Sequence, residues 1–224
     1  MQTHMQKKIQ RNNKDFKWDK KELQVFQSFK APMDIQLFLN KLKYNTDGDI
    51  CKSPRKVLRI KTAHCTEGAY FAAAALRFMG YPPLIVDFMV KNDDEHLIAV
   101  FKKNDLWGAV AKSNTTSLRY RDPVYKSIRE LVMSFFEFYF NILGVKSLRS
   151  YSRPINLSQF DCKDWMYTDE ELHFISDYLT QAKHKPIASE KILDNLAKTD
   201  KDVFKAVFLT SDWKGLYKAK KEKE

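Results

Sequence analysis

The segment CTEGAYFAAAALRFM, running from Cys65 to Met79, constrains the fold more than any other stretch of the chain. Four consecutive alanines, Ala72 to Ala75, stand beside Tyr70, Phe71 and Leu76, and polar residues are confined to the two ends. A helix that is apolar on every side has to be covered on every side. Its small residues also let a sheet lie close against it. Gly80 suits the left-handed position past a helix end, and Pro82 and Pro83 prevent continuation. The rest of the chain must supply the layers around this helix. With 224 residues, 44% of them hydrophobic and 16 of them Phe, it has the material to do so.

Three strands are expected next: Leu84 to Val90, His96 to Phe101, and Leu106 to Ala111, separated by the turns Lys91-Asn92-Asp93-Asp94 and Lys103-Asn104-Asp105. Turns this short favour an antiparallel meander, so the fold class is α+β, with a buried helix packed on an antiparallel sheet. Other apolar stripes at helical spacing fall at Ile35-Phe38-Leu39-Leu42, over 128–140 (stopped near Gly144), and over 169–182 and 189–197. The turn formers Asn45-Thr46-Asp47-Gly48-Asp49 end the first of these. No repeat or linker divides the chain. We read a single domain over 1–224: a basic tail and weakly anchored helix over 1–30, a core over 31–157, and a helical extension over 158–224.

The net charge of +11 raises the question of nucleic acid. Five of these charges come from residues 1–30, where eight Lys/Arg face three acids. Three more come from residues 214–224, leaving three for the intervening 183 residues. Charge confined to the ends reads as solvation rather than a binding face, so a nucleic-acid partner is not expected. No apolar run reaches the roughly 18 residues that a membrane span requires. Cys51, Cys65 and Cys162 form no disulfide framework, and residues 1–30 hold no apolar signal core, so a reducing, cytoplasmic setting is expected. CxxC, HExxH and phosphate-cradling glycine motifs are absent, and neither a metal nor a cofactor is expected.

Cys65 opens the buried helix, where the macrodipole and free N–H groups favour a thiolate. His96 opens the second strand after an acidic turn. Within hydrogen-bond reach the two make a nucleophile and its base, and the base needs a third group to fix its tautomer. Asn114, past the third strand, and the carboxylates Asp87, Asp93 and Asp94 are the candidates. Glu67, in the first helical turn, opposes a thiolate at Cys65. His64 points away from its neighbour, because adjacent helical side chains diverge. Arg119 and Arg121, interleaved with Tyr120 and Tyr125, offer bidentate contacts to a carboxylate or phosphate. Their plainer role is pairing with Asp122 and Glu130.

The order of a Cys-led buried helix, a strand, a His-led strand and a Trp-bearing strand resembles the transglutaminase-like branch of the papain-like cysteine enzymes. The resembling residues are Cys65 with Glu67-Gly68-Ala69 and Ala72 to Leu76, Asp93-Asp94-Glu95-His96, and Trp107-Gly108. The phrases Cys51-Lys52-Ser53-Pro54-Arg55, Gly80-Tyr81-Pro82-Pro83, Trp107 to Asn114, and Arg119 to Tyr125 are similar to a bacterial transglutaminase-like family, over roughly residues 31–157. The resemblance implies a papain-like core and a Cys-His-Asp triad whose acid follows the strand tryptophan. Here Gly108 to Asn114 contains no acid, which leaves Asn114 in that place or a carboxylate from Asp87 or Asp93. The activity implied is hydrolysis or transfer of an acyl group from a peptide or other amide, with Trp107, Arg119 and Arg121 on the substrate. The missing acid equally suits a degenerate site that binds a peptide or small acid without chemistry.

Overall fold

The computed structural model describes residues 16–47 and 50–220; the expected tail over 1–15, Gly48 and Asp49 of the first turn, and the last four residues lie outside the described residues. Helices α1 (Lys20–Ser28) and α2 (Pro32–Lys41) lead into a two-residue strand, β1 (Lys43–Tyr44). Helix α3 (Pro54–Ile60) and β2 (Thr62–Ala63) precede the alanine-rich helix α4 (Cys65–Phe78). Strands β3 (Leu84–Val90), β4 (His96–Lys103) and β5 (Leu106–Val110) follow, then β6 (Arg121–Tyr125), α5 (Ile128–Phe136), β7 (Leu148–Ser152) and β8 (Ile155–Asn156). The remaining elements are α6 (His173–Thr180), β9 (His184–Pro186), α7 (Glu190–Leu193) and α8 (Lys201–Phe208), with 3-10 helices over Leu157–Lys163 and Trp213–Gly215.

The architecture is α+β. Seven strands form one antiparallel sheet in the order β6-β5-β4-β3-β7-β9, with β8 also paired to β3. The predicted meander is its centre. Side chains alternate across a strand, and the cores follow that parity. Ile85, Leu97, Ala99, Phe101 and Val110 join the core built around α4. Val86, Phe88, Ile98, Val100 and Ala109 join the core under α5. Strand β4 is thus covered on both faces, which is why its sequence reads as a continuous apolar run. Gly68 has its own reason to be glycine. A Cβ there would stand 2.2 Å from the Lys112 Cβ, so only a bare backbone lets α4 approach the end of β5.

Several elements differ from expectation. Residues 16–30 dock rather than fray: Phe26 is wholly buried and stacks on Phe71, and Trp18 packs between Phe26 and Tyr167. Ser53 caps α3, a helix that the short apolar run Val57-Leu58 did not announce. Two strands stand where the sequence announces none, β6 over Arg121–Tyr125 and β7 over Leu148–Ser152. Both are short strands recruited by pairing with a neighbour rather than by their own alternation. The helix expected over 128–140 stops at Phe136. Cys51 is buried, its sulfur 3.6 Å from the Ser176 Oγ.

Candidate active site

Helix α4 is anchored at its start by a closed set of polar contacts. His64 is the N-cap: its Nδ1 accepts from the Thr66 N–H at 3.1 Å, so Nε2 carries the proton it donates to the Ile50 carbonyl at 2.9 Å. The Glu67 carboxylate reaches back to the His64 N–H at 2.9 Å, completing a capping box. Glu67 is fully buried, and Lys52 Nζ stands 2.9 Å from it; the Lys52 N–H and Asn45 Nδ2 also donate to it. Lys52 and the helix end partner its charge, and beyond burial the acid whose charge chiefly lifts the Cys65 thiol is Asp94.

Cys65 and His96 line one cavity of about 50 Å³. Cys65 is partly exposed and is not hydrogen-bonded to His96; its thiol donates to the Glu95 carbonyl at 3.5 Å and lies 3.8 Å from the Thr66 hydroxyl. Parity explains the separation. His96 shares the even face of β4 with Ile98 and Val100, and its ring packs edge-on against Phe88 and Tyr139, whereas α4 lies against the odd face. The imidazole is buried, and its Nε2 lies 3.0 Å from the Leu118 carbonyl. A carbonyl only accepts, so Nε2 bears the proton and Nδ1 keeps its lone pair. Among the described residues, Nδ1 has no hydrogen-bond partner. Burial pushes the Cys65 thiol up to about 11 and holds His96 down to about 4. The resting pair is a neutral thiol beside a neutral imidazole.

The expected third member stands elsewhere. Asn114 lines the same cavity, but its amide is engaged with residue 212: Nδ2 donates to the Asp212 carbonyl at 2.8 Å and Oδ1 accepts the Asp212 N–H at 2.9 Å. Neither alternative carboxylate meets the imidazole. Asp87 pairs with His184 Nε2 at 3.0 Å on the α4 side of the sheet, and Asp93 accepts from the Ser147 hydroxyl at 2.6 Å. Burial lifts both carboxyls to about 6. Asp94 accepts the Tyr217 N–H. The Leu118 main chain fills the orienting place, a role that no side-chain motif can announce.

The proposed substrate contacts also lie apart from the cavity. The register pairs Trp107 with Lys102, at the far end of β4 from His96 and about 20 Å along the strand. Arg121 is committed to α5: its guanidinium lies 3.9 Å over the Phe135 ring and bonds the Ser134 Oγ and carbonyl. Arg119 bonds the Thr115 carbonyl and Thr210 Oγ1. Sequence reasoning missed Tyr44, Tyr139, Phe208, Leu216 and Tyr217, all of which line the cavity. Tyr44 arrives through the parallel pairing of β1 with β2, immediately before α4. Tyr139 donates to the Asp94 carbonyl.

Among the described residues no three His, Cys, Asp or Glu side chains converge as a metal-binding set, and no helix is long and apolar enough to cross a membrane. The class defined to this point is an α+β protein with a thiol and an imidazole at one small cavity. Neither a protein-family model nor a curated protein matches the chain.

Proposed function

We propose that the chain is a transglutaminase-like cysteine enzyme with a papain-like core, hydrolysing or transferring an acyl group from a peptide or other amide. The observation that carries this reading is that Cys65 and His96 line one cavity, with the Leu118 carbonyl holding the His96 proton on Nε2 and leaving the Nδ1 lone pair without a hydrogen-bond partner among the described residues. In the reaction, Cys65 Sγ attacks the carbonyl carbon while its proton passes to Nδ1. The oxyanion forms beside the Cys65 N–H at the start of α4, a donor worth about 3 kcal/mol in comparable sites. The nitrogen of the scissile bond then leaves with the proton from Nδ1, producing a thioester. Water or an amine, deprotonated by the same nitrogen, releases the acyl group and regenerates the thiol.

Proton transfer inside the cavity is uphill. With the thiol near 11 and the imidazole near 4, forming the ion pair costs on the order of 10 kcal/mol before their mutual attraction is counted. The chemistry therefore belongs to a form in which the site is open or filled by substrate. Replacing Cys65 with Ala removes all turnover of peptide amides while leaving the melting temperature within a few degrees of wild type; turnover surviving in that variant excludes the mechanism.

A second reading is favoured by the raised thiol and by the absence of a carboxylate on His96: a binding module that holds a peptide or small acid without cleaving it. In that case iodoacetamide titrates Cys65 with a high apparent pKa in every state of the protein, and Cys65→Ala binds ligand as well as wild type does.

A further inference from the structure

Residues 201–220 form an arm that crosses the Cys65–His96 cavity. Phe208, Leu216 and Tyr217 supply one wall of it. The arm belongs to neither main core. Its apolar anchors, Val207 and Phe208, form a satellite cluster with Phe140. Between these anchors and its end, it is held by hydrogen bonds from the body to its main chain. Thr116 N–H donates to the Val207 carbonyl at 2.9 Å. Asn114 closes two bonds on Asp212, and Asp94 accepts the Tyr217 N–H at 2.9 Å. Asn92 closes two more on Lys220, at 2.7 and 2.8 Å. Gly215 lies flat on Tyr44 and Thr46, where a Cβ would come within 2.9 Å of the Thr46 methyl.

This pattern is that of a bound peptide. An extended residue points its own N–H and C=O to the same side; Asp212 (φ −79°, ψ 109°) and Leu216 (φ −100°, ψ 140°) are extended and flank a single 3-10 turn over Trp213–Gly215, which the Gly215 N–H closes on the Asp212 carbonyl at 3.0 Å. A side-chain amide that pairs with both groups of one residue reads the main chain whatever the side chain, as in strand addition. Asn114 and Asn92 each do this once, eight residues apart on the arm, with the thiol and imidazole cavity lying beneath the segment between them.

We propose that the groove over Cys65 and His96 is a peptide site, and that the 201–220 arm occupies it as a tethered competitor. The site's ligand is then a peptide with one turn between two extended positions, read at its main chain by Asn114 and Asn92, with an aliphatic–aromatic pair such as Leu216-Tyr217 seated in the cavity. Access of such a peptide to the thiol requires displacement of the arm. The name of the competing ligand as a substrate rests on the proposed function; the occupancy of the groove does not.

The test is alkylation by iodoacetamide at pH 8, read cysteine by cysteine in the full chain, with exposed Cys162 and buried Cys51 as internal references. Gly215→Val forces the arm off Tyr44. It is expected to raise the Cys65 rate at least tenfold, with the Cys162 rate unchanged and Cys51 protected. A synthetic peptide of residues 206–220 added to this variant restores the slow rate. If Cys51 becomes reactive in Gly215→Val, the fold has opened, and the double variant Tyr217→Pro/Lys220→Pro, which removes the two N–H groups that Asp94 and Asn92 accept, is read in its place. A Cys65 rate within twofold of wild type in the variant that retains Cys51 protection overturns the proposal, as does failure of the peptide to slow it. Because alkylation needs no turnover, a released but catalytically dead Cys65 would overturn the proposed chemistry and leave the arm in place.

Discussion

The two sides of the α4 start are built on opposite principles. Beneath it, the buried polar groups of the helix cap and of the β5 end are paired. Glu67 holds Lys52, Asn45 and the helix cap, and Gln36 closes two bonds on Ala111. Lys112 spends its ammonium on the carbonyls of Leu39 and Leu42, at the end of α2. Above it, the Cys65 thiol donates to a carbonyl and lies beside a hydroxyl, the His96 Nδ1 has no hydrogen-bond partner among the described residues, and the cover is an arm outside both cores. A fully satisfied network fixes one geometry. Groups left unsatisfied next to it retain capacity for a ligand. The difference separates what positions the helix from what the helix presents.

The largest effect is expected on the satisfied side. Glu67→Ala leaves the Lys52 ammonium buried without its partner, and loss of one member of such a pair costs about 3–5 kcal/mol. Urea unfolding measures it directly. A loss below about 1 kcal/mol would show that Lys52 escapes to solvent and that the framework is looser than its contacts.

Acid sharpens the same contrast from the other side. Burial lowers the folded pKa of His96 from 6.5 to about 4, so the unfolded chain takes the proton first. The stability that His96 contributes is complete above pH 6.5 and is lost as pH falls towards 4, by about 3 kcal/mol in all. Asp87 and Asp93, raised to about 6, run the opposite way and gain stability on acidification through the same window. The difference between wild type and His96→Gln cancels their share. Wild type should lose its lead over the variant as pH drops from 7 to 4.5. A constant difference across that range would place the imidazole in contact with water.

How much of this was legible in the sequence follows from the kind of force involved. The Ala72 to Ala75 run and the alternation through β3, β4 and β5 carry their burial in their own residue types, and the expected helix and meander are present. Strands β6, β7 and β9 are defined by their partners. RDPVY and LRSYS have no alternation strong enough to name them, and only the neighbouring edge makes them strands. At the site, the positions of Cys65 and His96 follow from helix and strand starts. The orienting group does not, because every residue has a carbonyl and nothing in the letters singles out Leu118. Asn114 was visible as a polar residue at the right end of β5. Its partner 98 residues away was not, since a main-chain contact leaves no mark on the sequence of either side.

Asn114 therefore carries the smallest expected change and the most discriminating one. As an orienter of His96 it would alter the base; as a reader of the arm it alters access. Asn114→Ala removes two neutral hydrogen bonds to Asp212, each contributing about 0.5–1.5 kcal/mol, and these anchor only the arm. The global unfolding midpoint should fall little, while the Cys65 alkylation rate rises severalfold. The imidazole keeps its Leu118 contact, so the His96 titration, followed by NMR of its ring protons, should move little from its wild-type position. If instead that titration moves and the alkylation rate does not, Asn114 acts on the base through a contact formed only when the arm is away. The missing third member of the triad would then be the residue that the arm holds out of reach.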